Sequence, residues 1–219
     1  MMGNNLYDGE KPIHKVRVSS FQLGETEITN WQYNIYAQQM KKRIEFGNWQ
    51  PAGDNPVIYI SWYDTQRYIA WLSEKTGLKY RLPTEAEWEF AAIGGIKSLH
   101  YRYSGSNDSV AVAWCFQNSK NRTQAVKNKR ANELGLYDMN GNVWEWCSDF
   151  NSYIYYQACE KKGLVVNPQG PEGAELDSRT IRGGCWNMDG VDCNPSIRGH
   201  KQPDDGSLDF IGFRVAASK

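Results

Sequence analysis

Two carboxylates lie close together in residues 135–146, which read Gly-Leu-Tyr-Asp-Met-Asn-Gly-Asn-Val-Trp-Glu-Trp. Asp138 and Glu145 carry anionic oxygens, and the glycines allow tight turns whose backbone carbonyls can point inward. An all-oxygen set of this kind suits a hard cation such as Ca²⁺. The residue types alone leave a second interpretation open, a hairpin turn whose carboxylates cap backbone N–H groups.

Two tryptophans flank the second carboxylate of this segment. Trp144 and Trp146 stand on either side of Glu145. Because alternate side chains of a β-strand point to opposite faces, a strand here would bury both rings and turn the carboxylate to the other face. The alternation therefore predicts a strand that separates an aromatic core from an acidic site.

Three helices are predicted upstream. Each begins at a serine or threonine whose side chain can accept a hydrogen bond from the first helical turn. The predicted spans are Asn30 to about Met40 after Thr29, Trp62 to Gly77 after Ser61 with Asp64, and Glu85 to near Ala92 after Thr84 with Glu87. Because these helices are amphipathic, we expect their tryptophans in the core: Trp31, Trp62, Trp71 and Trp88.

From Gly94 onward almost no helical period is visible. Short strand-like pieces, Thr180–Arg182 and Phe213–Val215, lie between clusters of Gly, Asn, Asp and Ser. Loops of this length inside a compact domain are usually functional, or they need an ion to hold them. No repeat or linker is visible, so we predict one domain over residues 1–219.

Composition excludes several classes of function. Lys and Arg total 25, Asp and Glu total 25, and the formal net charge is zero, which argues against a nucleic-acid surface. No apolar run approaches the roughly 20 residues of a membrane span. The chain opens on Met-Met-Gly without a signal peptide. Because this opening looks trimmed, a leader that has been lost is still an alternative, and the sequence does not indicate the compartment.

Cysteine usage argues against a structural zinc site. The five cysteines are odd in number and show no CxxC or CxxH spacing, and they leave at least one thiol free: Cys115, Cys147, Cys159, Cys185 and Cys193. We expect Cys115 and Cys147 to behave as small buried hydrophobic residues.

Several motifs follow one another in a fixed order. They are Met2-Gly3, Pro12 to Val18, Glu25 to Tyr33, Ser61-Trp62, Tyr80 to Ala92, Gly135 to Trp146, Arg182 to Trp186 and Ile211 to Val215. In this order they resemble the formylglycine-generating-enzyme (sulfatase-modifying factor) family over essentially the whole chain. The resemblance implies an α+β, C-type-lectin-like fold with twisted antiparallel strands, a few helices and long ordered loops.

The resemblance also implies a calcium site. Its ligands would be the side chains of Asp138 and Glu145 and the backbone carbonyls of Gly141 and Val143. The family's other calcium site has an asparagine where this chain has Val112. We therefore expect one structural Ca²⁺.

Enzymes of this family oxidise a substrate cysteine to formylglycine with Cu(I) held by two cysteines. Their pattern Gly-Gly-Ser-Tyr-x-Cys-x-x-x-x-Cys falls on residues 183–193, where Cys193 matches the second cysteine, Met188 the first and Cys185 the serine. A thioether is a weak neutral ligand that cannot replace a thiolate. We expect no copper and no catalytic residue. The related iron-dependent branch needs clustered ligands, but His14, His100 and His200 are scattered.

Residues 182–215 carry a second resemblance. Chemically miscellaneous positions lie between the fixed points of a framework: Arg182-Gly-Gly-x-Trp-Asn187, Cys193, Arg198, Pro203-Asp204 and Ile211–Val215. The arrangement resembles the variable region of a diversity-generating retroelement, as displayed by C-type-lectin-fold variable proteins of Treponema and phages. The resemblance implies a ligand-binding face formed by Asn187, Met188, Asp189, Val191, Asp192, Asn194, Ile197, Gly199, His200, Lys201, Gln202, Asp205, Ser207, Leu208 and Asp209.

That mixture of apolar and charged residues predicts a solvent-facing surface, because a core could not absorb it without stranding charges. Trp186, Ile211 and Phe213 should be buried and anchor the segment. We expect a non-catalytic receptor-like or adhesin-like protein at the cell surface or outside the cell, whose partner is a variable protein or a cell-surface ligand. The alternatives are another binding or scaffold role and a copper-dependent or related sulfur-oxidising oxidoreductase.

Overall fold

The computed structural model describes residues 1–42, 52–152, 154–173 and 177–218. The α-helices in these ranges are α1 (Asn30–Gln39), α2 (Trp62–Thr76), α3 (Glu85–Ala92), α4 (Ser109–Val112) and α5 (Tyr155–Lys162). The β-strands are β1 (Lys15–Arg17), β2 (Phe21–Leu23), β3 (Tyr80–Arg81), β4 (Trp144–Phe150), β5 (Leu164–Val166), β6 (Arg179–Arg182), β7 (Arg198–Lys201), β8 (Ile211–Gly212) and β9 (Ala216–Ser218). Single 3₁₀ turns lie at Asp8–Glu10 and Gly95–Lys97. The α+β prediction is confirmed.

The predicted helix starts and stops are confirmed. The side chains of Thr29, Ser61 and Thr84 each accept a hydrogen bond from the backbone N–H three residues later. In return, the side chain at that third position accepts a hydrogen bond from the backbone N–H of the capping residue. These reciprocal bonds satisfy backbone donors that a helix leaves unpaired at its first turn. Gly77 ends α2 with φ of 73°, a left-handed conformation that glycine adopts without steric cost.

Two expectations about helices are wrong. Trp31 is 64% exposed, because α1 buries Tyr33, Tyr36 and Ala37 on its other side, and only Trp88 of the four helix tryptophans is fully buried. Helices also occur beyond Gly94, in α4 and α5. Only Tyr156 and Cys159 are buried in α5, and two positions are too few to produce a recognisable period.

Within the described ranges the strands form three small sheets. In the largest the order is β7-β6-β4-β8, with β4 antiparallel to β6 and parallel to β8. A second sheet has the order β2-β9-β3, and β1 pairs with β5 in parallel. The expected strand at Thr180–Arg182 is confirmed within β6. Phe213–Val215 is not a strand but links β8 to β9.

The main core lies between α1, α2 and the largest sheet. It contains Trp144, Trp146 and Phe213, and the ring of Tyr68 meets that of Phe213 edge-on with centroids 5.5 Å apart. A smaller core contains Trp88 under α3. Within the described ranges no helix is both long enough and apolar enough to cross a membrane. The prediction of one domain over residues 1–219 stays a prediction.

Candidate functional site

Strand β4 places Glu145 as its sequence predicts. Trp144 and Trp146 enter the main core, and Trp146 Nε1 donates to the carbonyl of Ile60 at 3.0 Å. Glu145 points to the opposite face, yet it is 0% exposed. Because a buried ionised carboxylate needs a partner, the surroundings of Glu145 define the site.

The partner of Glu145 is Arg214. Nε of Arg214 donates to Oε2 at 2.6 Å and Nη2 donates to Oε1 at 2.6 Å, while Trp88 Nε1 donates to Oε2 at 2.7 Å. The Arg214 side chain is fully buried. The pair neutralises the charge of Glu145. Each carboxylate oxygen has two acceptor positions, so Oε1 keeps one for a further ligand.

Asp138 has a free acceptor atom. Its side chain is buried, Oδ2 accepts the Lys127 backbone N–H at 2.9 Å, and Oδ1 has no hydrogen-bond partner in the described ranges. Burial is the main cause that raises the pKa of Asp138 to about 6, and the charge of Glu145 adds to it. A cation beside Oδ1 would favour the ionised form.

The turn between these carboxylates requires glycine at position 141. Gly141 has φ of 74°, and a Cβ there would collide with the Trp114 carbonyl. The Gly141 N–H donates to Gly183 O at 2.8 Å, and the Asn142 N–H donates to Trp114 O at 2.7 Å. These bonds fix the backbone that carries the carbonyls of Gly141 and Val143.

Sequence reasoning missed a third carboxylate, Glu27. It is 0% exposed, its Oε1 accepts from Asn142 Nδ2 at 3.1 Å, and its Oε2 has no hydrogen-bond partner among the described residues. Burial raises the pKa of Glu27 well above its usual range, and the charges of Asp138 and Glu145 raise it further. Glu27 belongs to a motif that carried the family resemblance, but no spacing linked it to Asp138.

The residues present fit a hard cation. Glu27, Asp138 and Glu145 are three buried carboxylates, and Arg214 pairs with Glu145. One oxygen of Glu27 and one of Asp138 have no hydrogen-bond partner among the described residues. Hard cations such as Ca²⁺ bind carboxylate and carbonyl oxygens. Over the described ranges, no three His, Cys, Asp or Glu side chains form a group that could hold a metal by itself. A cation here would therefore need backbone carbonyl ligands as well.

The residues at the family's copper position fit that metal poorly. Met188 is half-buried and packs against Cys115 and Cys193. Burial raises the pKa of Cys185 to about 12 and raises that of Cys193 as well. Thiols held in the neutral form are poor ligands and poor nucleophiles. Cys115 and Cys147 are fully buried as expected, and Cys185 lies in the loop after β6.

Most of the predicted ligand-binding residues reach the surface. The exposed ones, called here the exposed tail set, are Asn187, Asp189, Val191, Gln202 and Ser207. Partly exposed ones are Met188, Asp192, Ile197, Gly199, His200, Lys201, Asp205, Leu208 and Asp209. Of these, Met188, Ile197 and Leu208 pack against the edge of the main core. The solvent-facing expectation therefore holds fully for the exposed tail set and in part for the others.

Two predicted positions behave as structural residues. Asn194 is 4% exposed, and its Oδ1 accepts the Ser196 N–H at 2.9 Å, so the expectation that it faces solvent is wrong. Gly199 lies in β7, where a Cβ would stand 3.0 Å from the side chain of Ile181. A side chain at 199 would require Ile181 to shift by a few tenths of an ångström. Trp186, expected to be buried, is half-buried, with its Nε1 donating to Asp209 O at 3.0 Å.

Buried ion pairs hold the tail from beneath. Arg182 donates to the carbonyls of Pro195 and Ser196 at 2.8 Å each and pairs with Glu89. Arg198 forms a bidentate pair with Glu85, at 2.5 and 3.0 Å. Because both glutamates belong to α3, that helix holds in place the backbone that carries the chemically diverse tail residues.

A cleft adjoins the tail. Its volume is about 280 Å³, and it is lined by Ile58, Tyr59, Asn121, Arg122, Thr123, Trp186 and Asp209. Tyr59 adopts φ of 57°, an unusual backbone conformation for a bulky residue, and its N–H donates to Leu208 O at 3.0 Å. Of these residues only Asp209 was expected at a ligand site, because Trp186 was assigned to the framework and the other five lie far from the tail in sequence.

Comparisons with known proteins agree with this architecture. The chain is 32% identical over 228 residues to Serine/threonine-protein kinase pkn1 of Chlamydia caviae, covering 94% of this chain but 34% of the kinase. The chain thus spans about a third of that relative's length. It is 30% identical over 271 residues to a formylglycine-generating enzyme of Streptomyces coelicolor, covering 95% of this chain and 82% of that enzyme.

A solved structure matches the whole fold. Treponema denticola variable protein 1 superimposes with a TM-score of 0.84 at 29% identity, covering 100% of this chain and 91% of that one. The C-type-lectin-like fold expected from the motifs is confirmed. The model of the Sulfatase-modifying factor enzyme 1-like domain matches residues 1–219. The chain therefore belongs to the family of Sulfatase-modifying factor enzyme 1-like domains.

Proposed function

We propose that this chain is a non-catalytic ligand-binding protein whose carboxyl-terminal segment presents a diversified contact surface. The observation that carries the proposal is the whole-chain similarity to Treponema denticola variable protein 1. On this proposal the ligand is a protein or another molecule at a cell surface, and this chain is itself displayed at the cell surface or outside the cell.

The distribution of burial supports the proposal. A binding surface of this kind needs side chains that can change while the backbone beneath them stays in place. The exposed tail set provides such side chains, since none of its members lies in the core. Arg182 and Arg198 hold the backbone through buried pairs with α3. Substitutions in the exposed tail set should therefore change binding and leave the fold intact.

A structural calcium ion is part of the same proposal. Asp138, Gly141, Val143 and Glu145 would hold it. The turn they form is hydrogen-bonded to the start of the tail, through Gly141 N–H to Gly183 O at 2.8 Å and Trp186 N–H to Asn142 O at 2.9 Å. An ion in this turn would stiffen the base of the binding surface. At a free concentration 100 times its dissociation constant, it would stabilise the fold by about 2.7 kcal/mol.

A library experiment tests the binding proposal. Codons for the exposed tail set are randomised, the proteins are displayed on phage, and the library is selected against hen egg-white lysozyme. A matched library randomises five tail positions that are buried or paired with α3: Arg182, Asn194, Arg198, Ile211 and Phe213. We expect folded binders from the first library and few folded proteins from the second. Equal recovery of folded proteins from both, or no binder from the first, would contradict the proposal.

An oxidase is the alternative, favoured by the similarity to the Streptomyces coelicolor formylglycine-generating enzyme. The side chains argue against it, because Met188 stands where the family has a ligand cysteine and burial keeps the Cys185 and Cys193 thiols protonated. Aldehyde formation in a cysteine-containing peptide, measured by mass spectrometry after incubation with Cu(I) and oxygen, would establish the alternative.

A further inference from the structure

Glu27 lies directly against the turn of the candidate calcium site. Its segment is fixed there by backbone hydrogen bonds, from Tyr137 N–H to Glu25 O at 2.9 Å and from Ile28 N–H to Phe213 O at 2.8 Å. Glu27 Oε1 then accepts from Asn142, the residue between the two carbonyls assigned to the ion. A residue 111 positions before Asp138 is thus brought to the same site by tertiary structure.

Two carboxylate oxygens at this turn have the surroundings of cation ligands. Glu27 Oε2 and Asp138 Oδ1 are both buried and have no hydrogen-bond partner in the part of the chain that is described. The great majority of buried polar side-chain atoms in proteins have a partner. An unpartnered carboxylate oxygen in each of two neighbouring residues indicates a ligand that both would bind.

The cationic side chains near these two oxygens are bonded to other groups. Arg214 spends its Nε and Nη2 on Glu145, and its remaining contacts are backbone carbonyls. Lys127 pairs with the exposed Glu25 at 2.8 Å. Lys129 donates to the Val110 carbonyl at 2.6 Å. Arg214 and Lys129 act on these carboxylates through their charge, but none of the three cations donates a hydrogen bond to Glu27 Oε2 or Asp138 Oδ1.

We propose that Glu27 is a further calcium ligand, which binds the ion through Oε2 together with Asp138 Oδ1. This inference rests on the calcium site of the proposed function and adds to it a carboxylate from outside the segment 138–145. Calcium takes six to eight oxygen ligands, typically carboxylates, carbonyls and waters. With Glu145 largely engaged by Arg214, Glu27 and Asp138 become the principal anionic ligands.

Calorimetric titration with Ca²⁺ tests this assignment, after calcium has been removed with a chelator. Glu27→Gln keeps the size of the side chain and an oxygen that can accept from Asn142 but loses the charge. Its matched control is Glu25→Gln, two residues earlier on the exposed side. We expect Glu27→Gln to weaken calcium binding by about ten- to one hundredfold, Asp138→Asn to weaken it similarly, and Glu25→Gln to leave it unchanged.

The possible outcomes separate this inference from the site it rests on. If the wild-type protein does not bind Ca²⁺, the calcium site of the proposed function is wrong and this inference falls with it. The other outcome is that the wild-type protein binds Ca²⁺, Asp138→Asn binds it weakly, and Glu27→Gln binds it as tightly as wild type. In that case only the role of Glu27 is overturned.

Denaturation in EDTA distinguishes a ligand from a residue that merely supports the fold. Without calcium, Glu27→Gln should unfold at the same denaturant concentration as wild type or a higher one, because the change removes repulsion between buried carboxylates. With calcium it should unfold at a lower one. A lower midpoint in both conditions would overturn the assignment. Should Glu27→Gln fail to fold, Glu27→Asp is titrated instead, with weaker calcium binding expected and unchanged binding as the contradicting result.

Discussion

Arg182 offers the sharpest test of how the tail is held. Its guanidinium is completely buried, pairs with Glu89, and donates to two carbonyls of the tail at 2.8 Å. Replacing it by methionine keeps an unbranched apolar stem but removes the guanidinium. The change leaves Glu89 as a buried carboxylate without its partner and also leaves two tail carbonyls without a donor. The free energy of unfolding should fall accordingly.

The magnitude follows from these contacts. Removing one partner of a buried ion pair costs about 3–5 kcal/mol. Each carbonyl that loses its hydrogen bond adds about 1 kcal/mol, although some of this overlaps with the loss of the pair. We therefore expect Arg182→Met to reduce the free energy of unfolding by about 4–6 kcal/mol, a large part of the 5–15 kcal/mol that stabilises most domains.

Equilibrium unfolding in urea at pH 7 with calcium measures this cost. The matched control is Arg67→Met, since the Arg67 side chain is 59% exposed and pairs with Asp64 on the surface of α2. The control should change stability by less than about 0.5 kcal/mol. If Arg182→Met costs no more than the control, the buried pairs do not hold the tail and the argument for a fixed framework fails.

Three further predictions concern pH, the tail and catalysis. Burial and the charge of Glu85 raise the pKa of Asp149 to about 7. In the unfolded chain this carboxyl ionises near pH 4, so the folded state binds more protons in between and stability falls as pH rises from about 4 to 7. We therefore expect the free energy of unfolding of Asp149→Asn, measured in urea relative to wild type, to be higher at pH 8 than at pH 4.5. An equal difference at both pH values would refute this. Val191→Ser and Gln202→Ala should each shift the unfolding free energy by under about 0.5 kcal/mol, whereas a cost above about 2 kcal/mol would place them in the core. Met188→Cys should not produce formylglycine in a cysteine peptide incubated with Cu(I), because turnover also needs a positioned substrate, and aldehyde formation would contradict the non-catalytic assignment.

Local signals in the sequence were sufficient for the elements that local chemistry determines. The capping residues Thr29, Ser61 and Thr84 specify helix starts because the bonds they form lie within four residues. Strand β4 follows from the alternation of two tryptophans around Glu145. Such signals need no knowledge of the tertiary fold, and the structure confirms them.

Tertiary contacts decide the features that sequence reasoning missed. Trp31 is exposed because the side of α1 that meets the core carries Tyr33 and Tyr36 instead. Asn194 is buried because its side chain closes a turn against Ser196. The role of Glu27 depends on a contact with Asn142 across 115 positions. No local pattern encodes a contact at such separation.

The central claim is that the tail is a diversified surface on a fixed framework, and sequencing of natural variants tests it most directly. The gene is amplified from independent isolates of the organism that carries it, and substitutions in codons 182–215 are counted by position. The account predicts substitutions concentrated in the exposed tail set, with invariant codons for the buried residues Arg182, Asn194, Ile211 and Phe213. Identical tails in all isolates, or substitutions spread equally over exposed and buried positions, would contradict it.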